Sequence, residues 1–270
     1  MKNKKLLIIV AAVVVVLAVV LAIVVLGGKK SPETTTTAPT TTTTVKPGPN
    51  VEDTVTKSEG VMTWAEYMAA EVGSKVVIEA YVQGHQSWWD NKMTVYAQDG
   101  IGGYFLYDFP CSKETADKLV PGTKIRVYGY KAEWAGEMEI VTDEMDPDYA
   151  KIEIVEGNHV ATPIDATSKL GTDELVNYQN MLVEFKGLTF KSLEYKNGEP
   201  GDDIYVTFTY NGADYSFCVE RYLTGPETDL YTLVGTLQEG DVVDIVGFAY
   251  WYNGINTHIT SVTVHTTPAN

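Results

Sequence analysis

Hydrophobic and polar positions follow three different regimes along the 270-residue chain. Leu6 to Leu26 is an unbroken apolar run, and Ser31 to Asn50 is almost wholly polar. From about Val61 onward, apolar and polar residues alternate. Period-two alternation in MTVYAQDG (Met93–Gly100), YFLYDF (Tyr104–Phe109), KIRVYGY (Lys124–Tyr130) and EMEIV (Glu137–Val141) predicts half-buried β-strands. Helices are predicted between them. Thr63-x-x-Glu66 is a capping box ahead of WAEYMAAEV, Thr172 opens TDELVNY, and Ser112 opens a short helix that stops before Pro121-Gly122. Thr228–Leu237 is the counterpart of that last helix. Asp99-Gly100 with Gly102-Gly103, and later Asn211-Gly212, read as hairpin turns because these residues tolerate positive φ.

The alternating part repeats itself. PGTKIRVYGYKAEWAG (Pro121–Gly136) and EGDVVDIVGFAYWYNG (Glu239–Gly254) share three glycines: Gly122, Gly129 and Gly136 match Gly240, Gly247 and Gly254, all 118 residues apart. Trp134 then falls opposite Tyr252. Upstream, VVIEAYV from Val76 matches MLVEFKG from Met181, placing Glu79 opposite Glu184. Two copies of one module are predicted. In each copy three strands, a helix and two strands follow one another, the order of an OB-fold, a five-stranded Greek-key barrel. The expected fold class is mainly β: two tandem OB-fold barrels with short helices behind an N-terminal membrane helix and a stalk.

The apolar run has the length of a membrane span. About 20 apolar residues cover a bilayer core, and Leu6–Leu26 supplies them between Lys2, Lys4 and Lys5 on one side and Lys29 and Lys30 on the other. A cleaved signal peptide usually has a shorter apolar region and a small-residue cleavage site. The run is therefore read as an uncleaved signal anchor (6–28) behind a cytoplasmic tail (1–5), since the N-side lysines outnumber the C-side ones. SPETTTTAPTTTTTVKPGPN, with nine Thr and four Pro, reads as an extended Thr/Pro stalk (29–57) of the kind that spaces domains from a surface. Domains follow at 58–160 and 161–270. The expected location is the cell membrane, single-pass, with the C-terminal domains outside.

Charge narrows the ligand. The chain carries 20 basic and 36 acidic residues; removing residues 1–50 takes away six basic residues and Glu33, leaving 14 against 35, or -21. That balance argues against a duplex-DNA binder that works by neutralising phosphates. Cys111 and Cys218 sit in unlike local contexts, which favours two buried thiols over a bridge. His85, His159, His258 and His265 show no metal spacing, and no nucleophile elbow, P-loop or dinucleotide fingerprint occurs. No catalytic residue, metal or cofactor is assigned, and the chain is read as a non-enzyme. The acidic stretches at Asp143–Asp148 and Glu199–Asp203 offer oxygen ligands for Ca²⁺, but lack the EF-hand pattern and read first as solvated loops.

GSKVVIEAYVQG, VYAQDGIGGYFLYDF and LVPGTKIRVYGYKAEWAGEMEI together resemble a family of bacterial extracellular OB-fold modules. These occur in Gram-positive surface proteins and beside secreted nuclease domains. The second copy keeps GDVVDIVGF and the glycine spacing but lacks the QDG-x-GG turn, and the resemblance spans about Val61 to Val264. It implies a binding module using one barrel face and the loops between strands 1–2 and 4–5. The aromatic residues fall in those loops. Trp88, Trp89 and Asp90 occupy the first copy's strand 1–2 loop, Trp134 its strand 4–5 loop, and Tyr250, Trp251 and Tyr252 the second copy's strand 4–5 loop. Such rings stack on bases or on sugar faces; equally, they plug the ends of small barrels. Alternation sends Trp88 and Trp89 to opposite sides, and sets Trp251 against its two neighbours. Lys124 and Arg126 form a small basic strip with Tyr128, which reads as a ligand contact or as a solvated strand face. The expected ligand is a glycan or nucleic acid fragment; a protein partner on the cell surface is the alternative, and an accessory role in an extracellular nuclease system a further one.

Overall fold

The computed structural model describes residues 57–265. The predicted tail and anchor, and the stalk up to residue 56, lie outside the described residues. Among the described residues no helix is long and apolar enough to cross a membrane.

The first half runs α1 (Trp64–Ala69), β1 (Lys75–His85), β2 (Lys92–Gln98), β3 (Gly103–Pro110), α2 (Lys113–Ala116), β4 (Thr123–Trp134), β5 (Glu137–Val141) and β6 (Lys151–Asn158). Antiparallel pairs β1–β2, β2–β3, β5–β4 and β4–β1, with a parallel β3–β5 seam, close a five-stranded barrel. β6 adds to β4 outside the ring. The second half runs β7 (Ile164–Asp165), β8 (Leu182–Tyr195), β9 (Ile204–Tyr210), β10 (Ala213–Val219), α3 (Asp229–Val234), β11 (Val242–Phe248) and β12 (His258–His265). Its sheet repeats the cycle as β8–β9–β10–β12–β11–β8, with β10–β12 parallel. This is the strand order predicted for two OB-type units.

The local signals resolve as follows. The Thr63 hydroxyl accepts from the Glu66 amide at 3.2 Å and the Glu66 carboxylate accepts from the Thr63 amide at 2.7 Å, so the capping box is complete. Ser112 and Thr228 cap α2 and α3 through their hydroxyls. Thr172 does not cap: its hydroxyl donates backward to the Lys169 carbonyl, and Asp173–Tyr178 is a 3₁₀ segment. Asn211 (φ 50°) and Gly212 (φ 80°) form the predicted turn. The QDG-x-GG turn has a different cause from the one expected. Neither Gly102 nor Gly103 is left-handed. A Cβ on Gly102 would lie 2.0 Å from the Trp64 indole, and one on Gly103 would lie 2.3 Å from the Asn180 backbone. These glycines permit close approach, not a reversed turn.

Pairing register also shifts the repeat. Gly129 lies opposite Val76 and Gly247 opposite Val183, so the first strands correspond at 107 residues and not at the 105 that aligned Glu79 with Glu184. Glu79 corresponds to Lys186. Arg126, the partner of Glu79, corresponds to Asp244, so the charges at this position are exchanged between copies.

Each half has its own core. Val76, Ile78, Val95, Leu106, Phe109, Ile125 and Val127 fill the first barrel, and Val183, Phe185, Phe208, Phe217, Val243 and Ile245 the second. Cys111 and Cys218 are buried free thiols. A third cluster joins the halves: Tyr96 and Phe105, on the outside of β2 and β3, pack against Phe248, Tyr250, Leu182 and Leu223. The Tyr96 and Phe248 rings stack with centroids 4.2 Å apart and an interplanar angle of 4°.

Candidate functional site

The predicted loop aromatics separate into three groups. Trp88 is half-buried against the first core and its indole N–H donates to the Cys111 carbonyl at 2.8 Å. Trp89 is 79% exposed. It precedes Asp90 (φ 48°) and Asn91 (φ 59°), and pairs with Lys92 across this turn. Two consecutive positive φ values are what a type I′ turn requires, so Asp90 is a turn residue. Trp88 thus serves the fold, and Trp89 alone of the pair faces solvent.

The two strand 4–5 loops meet. Trp134 is paired with Glu137 across the turn Ala135 (φ 51°)–Gly136 (φ 88°). Onto that turn the second copy lays residues 250–254: the Asn253 amide donates to the Ala135 carbonyl at 2.7 Å. Trp251 packs on its own barrel core, with its indole beside Gly136. Tyr250 turns the other way, onto Phe105 (5.3 Å between centroids) and His258 (4.3 Å, stacked). Trp134 and Tyr252 are left exposed at 62% and 56%. Tyr107, on β3, has its ring 6.3 Å from Phe105 and is half-exposed.

Buried polar groups hold the junction in place. Glu137 is fully buried; one carboxylate oxygen accepts from Asn180 Nδ2 at 2.5 Å and the other from the Trp251 amide at 2.7 Å. Burial holds its carboxyl well above the usual range. Gln179 bridges as well, accepting from the Met138 amide and donating to the Gly136 carbonyl. Across the seam the Tyr96 hydroxyl meets His258 Nδ1 at 2.5 Å, and burial pushes His258 down to about 4. Sequence reading gave Glu137, Gln179 and Asn180 no role and took His258 only as a histidine without metal spacing. None sits in a motif; each matters only because the halves face one another.

The basic strip is already occupied. Lys124 reaches Glu79 at 2.9 Å and Arg126 reaches it at 2.6 Å. Burial would raise the Glu79 carboxyl, but the hydrogen bonds from Lys124 and Arg126 hold it at about 2. Both cations are therefore internally paired. Each acidic stretch has paired members: Asp146 meets Lys75 at 2.6 Å, and Asp203 meets Lys196 at 2.8 Å. Among the described residues no group of His, Cys, Asp or Glu is arranged to hold a metal.

No family model and no curated protein matches the sequence. Among solved structures, the chain is similar to a murine DNA-binding protein bound to double-stranded DNA, at 12% identity over 72% of this chain and 98% of that chain, TM-score 0.34. It is also similar to a replication protein A heterotrimer bound to single-stranded DNA, at 12% identity over 71% of this chain and 49% of that one, TM-score 0.28. Asparaginyl-tRNA synthetase from Pyrococcus horikoshii is matched at 18% identity over 38% of this chain and 24% of that one, TM-score 0.24.

Proposed function

We propose that the chain is a membrane-anchored, non-catalytic surface protein that captures a glycan on the aromatic patch where its two strand 4–5 loops meet. One observation carries the reading. Trp134 and Tyr252 remain exposed although the loops that bear them are fixed by buried hydrogen bonds, and Tyr107 is exposed on β3. Exposed rings on a rigid frame lose little entropy on stacking against a flat apolar ligand face. The -21 balance of residues 51–270, with Lys124 and Arg126 already paired to Glu79, favours a neutral or cationic ligand over a nucleic acid fragment. Titrating the full-length chain with oligosaccharides and, separately, with single-stranded oligonucleotides tests this by tryptophan fluorescence. Saturable quenching by the sugars alone is expected; a flat response to both would remove the reading.

A second reading is an adaptor that binds another cell-surface protein. Trp89 favours it, being exposed on a different turn, with no ring contact among the described residues to Tyr107, Tyr250 or Tyr252. Replacing Trp89 by Ala leaves sugar quenching intact if the patch at Trp134 is the ligand surface. An accessory role beside a nuclease rests on the family resemblance alone.

A further inference from the structure

We propose that Glu139 makes the exposed aromatic patch a site for an ammonium group, so that the captured ligand is amine-bearing. This rests on reading the patch as the ligand surface and names the chemistry that the surface selects.

The starting point is a contrast among buried acids. Asp99 accepts from the Ile101 and Gly102 amides and from Lys57 and Tyr104. Glu79 has Lys124 and Arg126, Glu137 has Asn180 and the Trp251 amide, and Asp203 has Lys196 and the Arg221 amide. Glu139 is 6% exposed and has neither a hydrogen bond nor an ion pair among the described residues. Burial alone acts on its carboxyl, raising it to about 7. Its oxygens are not among the fully enclosed, unpartnered side-chain atoms of the described residues, so the carboxylate is mostly buried yet reachable from the surface.

Its neighbours say what would fit. On β5 it pairs with Phe105 of β3 on one side and Ala132 of β4 on the other. On the same outward face Tyr107 lies two residues beyond Phe105, towards Val141, and Trp134 two residues beyond Ala132, towards Glu137, so the two stand on opposite sides of Glu139. From the second barrel Tyr250 packs on Phe105, and Tyr252 stands exposed beside it. The titratable groups facing Glu139 are Glu137 on its own strand, Tyr107, Tyr250 and, from inside the barrel, Tyr67; no cation is among them. Lys131, the nearest lysine in sequence, points into the barrel and donates to the Met68 and Ala70 carbonyls. A carboxylate beside Phe105, with Tyr107 and Tyr250 within reach of its charge and no cation of its own, matches an ammonium group. The charge pairs with the carboxylate, and the N–H or N–CH₃ groups lie against the rings.

Two sources carry that chemistry: an amino sugar and a quaternary ammonium headgroup. The test titrates the full-length chain at neutral pH with glucosamine oligomers, their N-acetylated counterparts and choline, following tryptophan emission. Glucosamine oligomers or choline are expected to bind at least ten times more tightly than the N-acetylated sugars, and whichever does so identifies the source. Glu139→Gln should reduce ammonium binding about tenfold. Trp134→Ala, at an exposed position, should reduce it without altering the fold. Wild-type ammonium affinity in Glu139→Gln would overturn the assignment. Binding of the N-acetylated sugars with none of the ammonium probes would overturn it too, while leaving the patch as a glycan surface. Silence from every probe would remove both.

Discussion

The outer face of β2 and β3 and its counterpart on β9 and β10 occupy the same place in two barrels of one topology, yet they have opposite fates. On the first, Tyr96 and Phe105 are buried beneath Phe248, Tyr250, Leu182 and Leu223. On the second, Tyr205, Thr207, Thr209, Asp214 and Ser216 are at least partly open to solvent. The side chains explain the difference. Two aromatic rings on a pleated face offer apolar area worth roughly 1.5–3 kcal/mol each when covered, whereas hydroxyls lose water on burial without gaining a partner. The face that an OB barrel commonly turns to a ligand is therefore spent internally in the first copy. Exposed aromatics remain at the loop junction beside it, so position in the fold does not by itself locate a ligand surface.

The sharpest way to break this comparison is to empty one face and then the other. Phe248→Ala removes a ring that is 2% exposed and stacked on Tyr96, and should cost about 3–5 kcal/mol in urea denaturation. Tyr205→Ala, on the open face, should cost under about 1 kcal/mol. Equal losses would mean that the two faces are not used differently. Gly84→Ala probes the same seam more gently. A Cβ there would lie 2.8 Å from the Phe248 ring, so the ring must move, at a cost of about 1–3 kcal/mol by the same measurement.

Much of this architecture is legible along the chain. Alternation marks β2 to β5, the capping residues mark α1, α2 and α3, and the glycines at 118 residues mark the repeat. Those signals are local, or repeat a local pattern. The seam is not local. Tyr96 and Phe105 read as ordinary strand residues, and only the approach of the second barrel distinguishes them from Tyr205. The same reason hid the two-residue shift between β1 and β8: both alignments keep apolar residues inward, because a shift of two preserves the face. It also hid the role of Gly102 and Gly103, whose neighbours Trp64 and Asn180 are distant in sequence. Among the candidate site residues, alternation correctly separated Trp88 from Trp89. It could not show that Lys124 and Arg126 are tied to Glu79, since that contact spans the β1–β4 pair.

A smaller effect distinguishes the seam from the patch by pH. Burial lowers His258, at the seam, from 6.5 to about 4, so the folded chain binds fewer protons than the unfolded one between those values. The associated stability is present above pH 6.5 and is lost as pH falls towards 4. Burial raises Glu139, at the patch, from 4.5 to about 7. Its contribution has the opposite sign: stability is full below pH 4.5 and declines as pH rises through 7, because the unfolded chain releases the proton more readily. Glu139→Gln should therefore melt like wild type at pH 4.5 and gain roughly 1–3 kcal/mol at pH 8, a difference that thermal unfolding at the two values detects. Equal melting of the two proteins at pH 8 would mean that the carboxylate is solvated or paired.

Trp134→Ala should have the smallest effect on stability. At 62% exposure the ring contributes little to either core, and the Ala135–Gly136 turn beneath it is fixed by Asn253 and Gln179 rather than by the indole. Its removal should change the denaturation midpoint by no more than about 0.5 kcal/mol. Ligand binding should nevertheless be reduced, because one stacking face is gone. Phe248→Ala tests the reverse dependence: a large stability loss, with binding lost only to the extent that Tyr250 and Tyr252 shift away from Trp134. If Trp134→Ala destabilises the chain as much as Gly84→Ala does, the ring is part of the seam, and the division between a buried joint and an exposed ligand surface fails at the residue on which it most depends.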